Sequence, residues 1–165
     1  MSASSGRLEA ADLAAVPMLA SVASARLSRL AASCQPRRWP MGQVLFARGD
    51  PATRLLIVLH GRVSALVDHR DGTRSRYPLM YAPCVIDKAS VLAGEPHRAT
   101  WTAVSPGGGA VVSAEMFRTL LAAEPGLRDH VLRYLAGQVS QGRAALADHA
   151  TARSVTLVAR WLAAA

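Results

Sequence analysis

Cysteine, lysine and acidic residues are all scarce in this sequence, and each scarcity excludes something. Two cysteines, Cys34 and Cys84, cannot supply the four thiolates that an iron–sulfur cluster held by one chain requires. No Cys-x-x-Cys or His-x-x-x-His spacing occurs, so a structural zinc site is not expected. No stretch reaches the roughly 18 consecutive apolar residues of a membrane-spanning helix, so no membrane association is expected. The first residues, MSASSGRLEAADLAAVPML, carry acids where a signal peptide has a basic end and an apolar block. A cytoplasmic location with reduced thiols follows as the expectation. The 11 acids are dispersed, with no paired-carboxylate cluster, no Gly-x-Ser-x-Gly elbow and no P-loop. The chain is therefore not expected to be an enzyme.

Half of the 165 residues are apolar, mostly Ala, Val and Leu, which suffices for one buried core. Arginine dominates the cations, with Lys88 the single lysine, and the formal charge is +8. That balance favours a polyanionic partner. An Arg- and Ala-rich genome would give the same number, and the arginines are scattered, with Arg37-Arg38 the one adjacent pair.

Residues 8 to 34 place Leu13, Val16, Leu19, Leu27 and Leu30 at near-helical spacing, and Pro17 divides them into two short helices ended by Gln35-Pro36. From Trp39 the period becomes that of strands. Short apolar runs at 44–46, 55–59, 63–67, 76–80, 101–104 and 110–113 are separated by turn residues. Asp71-Gly72 reads as a hairpin turn, and Gly107-Gly108-Gly109 as a flexible turn. The expected class is α+β, mainly β: a jelly-roll-like β-roll, or double-stranded β-helix, with N-terminal helices and a long C-terminal helix. Ser113 reads as the N-cap of a helix over 114–123. Pro125 opens a second helix running to about 150, and Thr151 caps a third. Val131, Leu135, Val139, Gly142 and Leu146 form a narrow stripe along the 125–150 helix, suited to a partner helix in a homodimer. Packing of that stripe on the domain's own sheet is the alternative.

These pieces together resemble the effector domain of Crp/Fnr-type transcription regulators. The residues that carry the likeness are GQVLFARGDPATRLLIVLHGRV (42–63), the Asp71-Gly72 hairpin, VLAGEPHRATWTAV (91–104) and FRTLLAAEPGLRDHVLRYLAGQV (117–139). The resemblance implies a β-roll effector domain over 1–124, a dimerisation helix over 125–150, and in 151–165 the start of a winged helix-turn-helix that reads DNA. On that expectation the DNA-reading domain is missing from this chain. A stand-alone sensory module is the alternative.

In this family a Gly-Glu pair followed by a short helix, and an Arg-Ser/Thr pair after a turn, hold a cyclic nucleotide. Glu takes the ribose hydroxyl and Arg the phosphate. Here Asp87 stands at the Gly position, Lys88 at the Glu position, Arg98 at the Arg position and Ala99 at the small hydroxyl position, with Thr100 one place late. Asp87 would repel a phosphate, and an ammonium cannot accept a hydrogen bond from ribose. Usual cyclic-AMP binding is therefore not expected, and Asp87 is expected to hold Arg98 as an internal salt bridge. Asp87, Lys88, Ala89, Ser90, His97, Arg98, Ala99 and Thr100 are the candidate effector-binding residues. Nitric-oxide-responsive members of the superfamily suggest haem, with His97 the best axial candidate among His60, His69, His97, His130 and His149. Cys84 could be a reactive thiol if Lys88 or Arg98 lowers its pKa, or a small buried residue. A pocket closed by Val85, Ile86, Val91 and Leu92 is the remaining possibility.

Overall fold

The computed structural model describes the backbone of residues 8–68 and 72–163, and the side chains of 8–67 and 72–144. Residues up to Arg128 form one compact unit, and Asp129 onward forms a second.

The first unit is a β-roll of two antiparallel sheets. One sheet orders β1 (Gln35–Trp39), β9 (Gly107–Ser113), β3 (Arg54–His60) and β7 (Cys84–Ile86). The other orders β2 (Val44–Phe46), β8 (Thr100–Ala103), β4 (Arg62–Asp68) and β5 (Arg74–Arg76), and β6 (Met80–Tyr81) also pairs with β4. Leu55 to Val58 of β3 are all buried, because both faces of this strand are covered. With the strand period of two, Leu56 and Val58 point into the roll, where they meet Trp39, Phe46, Ile86, Trp101 and Val111. Leu55 and Ile57 point outward, to a second apolar seam with Met18, Leu19, Leu30, Phe117 and Leu120, whose central gap is about 10 Å³. That seam is supplied by the 3₁₀ turn Pro17–Leu19 and by α2 (Ser24–Ser33) and α4 (Ala114–Ala123). It explains the leucine spacing of the N-terminal region, where α1 (Ala10–Ala14) also buries Leu13.

Several sequence expectations hold. Pro17 separates α1 from α2, and Ser113 Oγ accepts a hydrogen bond from the Met116 amide at the start of α4. Strands β4 and β5 pair as a hairpin, with Gly72 at φ +80° in its turn; Asp71 and His69 lie outside the described residues.

Three expectations are corrected. Gln35-Pro36 does not merely end a helix but begins β1, a polar edge strand where a proline costs no interior ladder bond. Gly107 to Gly109 are not a flexible turn but part of β9, between β1 and β3. A Cβ on Gly107 would come within 2.7 Å of Trp39 Nε1, and one on Gly109 would run into the Ile57 carbonyl. Thr151 does not start a new helix. A single helix, α5, runs over Pro125–Ala163, because no glycine or proline follows Gly142 to interrupt it.

Candidate functional site

The loop from β7 through α3 (Lys88–Ala93) to β8 carries the eight candidate effector residues, and the structure sends them in different directions. Asp87 occupies the N-cap position of α3 with φ +55°, the left-handed region where glycine is favoured and Asp is tolerated. Its carboxylate is turned inward. Oδ1 accepts from Ser90 Oγ at 2.7 Å, and Oδ2 contacts His97 Nδ1. His97 is 3% exposed and stacks on Phe46 with ring centroids 4.4 Å apart. Its backbone is clamped by the loop before β3: the His97 amide donates to the Asp50 carbonyl and the Gly49 amide donates to the His97 carbonyl, each at 2.9 Å.

Lys88 is 6% exposed, and its Nζ donates to the Val85 carbonyl at 3.1 Å. Burial pushes its pKa down to about 8, against the opposing pull of Cys84 and Asp87. Burial pushes the Cys84 thiol up to about 11, with Lys88 opposing, so the thiol is protonated at neutral pH. The reactive-thiol reading is set aside, and the small half-buried residue remains. Ala89 is exposed and Ser90 buried.

Arg98 is exposed, and its Nε donates to Glu95 Oε2 at 2.9 Å, with Nη2 on the same oxygen. This hydrogen bond raises the arginine's pKa further. The expected Asp87–Arg98 pair is thus replaced by Asp87–His97 and Arg98–Glu95. Sequence reasoning passed over Glu95, although its place three residues before Arg98 was a usable signal. Ala99 is buried, and the half-buried Thr100 accepts at Oγ1 from the Arg48 amide at 3.2 Å.

The closed-pocket reading is corrected in its residues. Ile86 joins the roll interior, but Val85 faces the helical seam. Phe46 and Trp101 supply much of the interior, and Tyr77 stacks alongside Trp101 with centroids 6.3 Å apart. These residues do not fit a cyclic nucleotide in the family manner. The Gly-Glu pair is replaced by a carboxylate committed to His97 and a buried donor, and the arginine faces out toward its own acid.

A cleft of about 460 Å³ opens elsewhere in the roll, where β1 and β2 end their respective sheets. Arg37, Asp50, Arg54 and His97 line it beside Leu45 and Pro51, so charged and polar side chains take up much of its wall. Arg37 Nη1 donates to the Leu45 carbonyl at 3.1 Å, which holds that guanidinium at the wall. The lining does not fit haem, whose two faces need apolar cover. Of the other candidate histidines, His60 is exposed and His130 half-buried, and the side chains of His69 and His149 lie outside the described residues.

The stripe on α5 is also revised. Val131 is 3% exposed and so is already buried within the single chain, whereas Leu132, which the sequence reading omitted, is exposed. Leu135 is half-buried, Val139 and Gly142 are exposed, and the Leu146 side chain lies outside the described residues.

The chain matches the cyclic nucleotide-binding domain over residues 36–124, and it belongs to that family. It is 32% identical over 127 residues to the acetyltransferase Pat of Mycolicibacterium smegmatis, covering 76% of this chain and 37% of that protein. It is 24% identical over 136 residues to the CRP-like cAMP-activated global transcriptional regulator of Mycobacterium tuberculosis, covering 82% of this chain and 61% of the relative. Among solved structures it is similar to the catabolite activator protein of Thermus thermophilus, with TM-score 0.70, 21% identity, and coverage of 79% of this chain and 61% of the other. Across curated relatives the chain spans between 22% and 61% of their length. Sheet order and neighbours agree on the β-roll expected from the sequence.

Proposed function

We propose that this chain is the sensory and dimerisation part of a CRP-type transcription regulator whose β-roll does not take cyclic AMP in the family's usual way. Effector binding in the roll shifts the pairing of two α5 helices and so repositions a DNA-reading module outside this chain. Such coupling needs the effector to bind the two arrangements with different affinity. The observation that carries the reading is the inward turn of the loop: Asp87 is committed to Ser90 and His97, and Lys88 is buried where the ribose-binding acid belongs.

Isothermal titration of cyclic AMP into the chain tests it. No saturable binding is expected below about 1 mM. The combined variant Asp87→Gly, Lys88→Glu, Ala99→Ser restores the family's groups and should gain binding. Micromolar affinity in the unaltered chain would overturn the proposal.

A second reading has its own support. Identity to the acetyltransferase is higher than to the transcriptional regulator, so the same roll could govern an enzyme instead of a DNA reader. Whether the full gene also encodes a helix-turn-helix or an acetyltransferase domain separates the two.

A further inference from the structure

We infer that the cleft between β1 and β2 is an effector site for a small molecule bearing an oxyanion, phosphate or carboxylate, which shares only His97 with the loop that holds cyclic nucleotides in the family. Two features converge on it. Arg37 and Arg54 bring two guanidiniums to its wall, and Arg37 is fixed there by the Leu45 carbonyl. His97 lines it too, with Nδ1 taken by Asp87 and the ring stacked on Phe46, so Nε2 is the ring nitrogen we assign to the ligand. The ring then stands between Asp87 at Nδ1 and the ligand at Nε2, and so links the two. The guanidiniums supply the paired donors that carboxylate and phosphate groups match.

Asp50 also lines the cleft and opposes an anion, but it is one carboxylate against two arginines, the other nearby carboxylate, Asp87, being taken up by Ser90 and His97. The volume of about 460 Å³ exceeds a bare anion, so the ligand carries a further body against Leu45 and Pro51. The site has a built-in route to the rest of the loop. His97 touches Asp87, and Asp87 begins α3, so an anion on one side of the imidazole acts on the start of that helix. This site stands whether or not the output module reads DNA.

The test is calorimetric titration of the 165-residue chain with inorganic phosphate and, separately, with malonate. Saturable binding of at least one is expected, and which one binds assigns the ligand's head group. Arg54→Gln, at an exposed position, and His97→Gln should each weaken binding at least tenfold. Arg29→Gln on α2 removes the same charge elsewhere and should leave it unchanged. Thermal melts confirm that each variant is folded; if His97→Gln is not, Arg37→Gln replaces it with the same expected loss. Absence of saturable heat with both anions overturns the site. So does binding that survives Arg54→Gln, or that falls equally with Arg29→Gln.

Discussion

Burial lowers the pKa of Lys88 from 10.5 to about 8, and this makes stability depend on pH. Below about 8 the folded chain must keep an ammonium in the core, whereas the unfolded chain keeps it in water. Between the two pKa values the unfolded state binds the extra proton, so stability rises with pH there. The full difference corresponds to roughly 3 kcal/mol. Cys34 and Cys84 act in the opposite sense. Burial raises both from 9.0 to about 11, so their contribution falls as pH climbs from 9 toward 11. The lysine is therefore visible alone between about pH 8 and 9. Lys88→Met should stabilise the chain at pH 7 by about 1–3 kcal/mol, even with the Val85 carbonyl losing its donor, and should flatten the slope between pH 8 and 9. Urea midpoints across pH 6.5 to 9 measure both; a destabilised variant with the slope intact would refute the account. At this scale the sequence revealed which residues had changed type, because charge and donor chemistry are properties of the side chain alone. It did not reveal their partners. Asp87 meets His97, ten residues on, because the loop folds back, and Arg98 prefers the nearer Glu95.

Strand β9 shows why element boundaries were harder to read than element types. Three successive glycines are a turn by local propensity, but here they lie between two neighbouring strands that leave little room for a side chain at 107 or 109. Gly109→Ala would drive a methyl into the Ile57 carbonyl, and backbone cannot yield as a side-chain tip can. It should cost at least about 2–3 kcal/mol. Gly108→Ala places its methyl 3.5 Å from the Arg37 carbonyl, an ordinary contact, and should change stability by less than about 1 kcal/mol. Thermal melts of the two variants decide it: equal losses would mean that β9 does not sit as tightly as described. Elsewhere local signals and tertiary structure agreed. The Ser113 cap, the Pro17 break and the Gly72 turn each depend on one residue's own chemistry, and each was legible. The polar strand β1 and the unbroken α5 were not, since the first depends on pairing with β9 and the second on the absence of an effective stop at Thr151.

The proposed dimer belongs to the whole molecule and rests on what α5 leaves uncovered. Leu132 is 58% exposed and Val139 54%, and they stand seven residues apart, two helical turns on one face. Half-buried Leu135 lies between them, and exposed Gly142 follows at the next turn. This revised edge keeps the heptad spacing of the sequence-based stripe but replaces Val131, which is not available to a partner. Two α5 helices meeting along it would cover apolar surface that the single chain leaves in water. Sedimentation equilibrium should find a dimer in the unaltered chain. The double variant Leu132→Glu, Val139→Glu places like charges at the seam and should raise the dissociation constant at least about 100-fold, near 2.8 kcal/mol. The β-roll should still melt cooperatively in that variant, because neither side chain belongs to either of its apolar cores. A chain that is monomeric before any substitution, or a dimer indifferent to both charges, would remove α5 as the route by which an effector reaches its output.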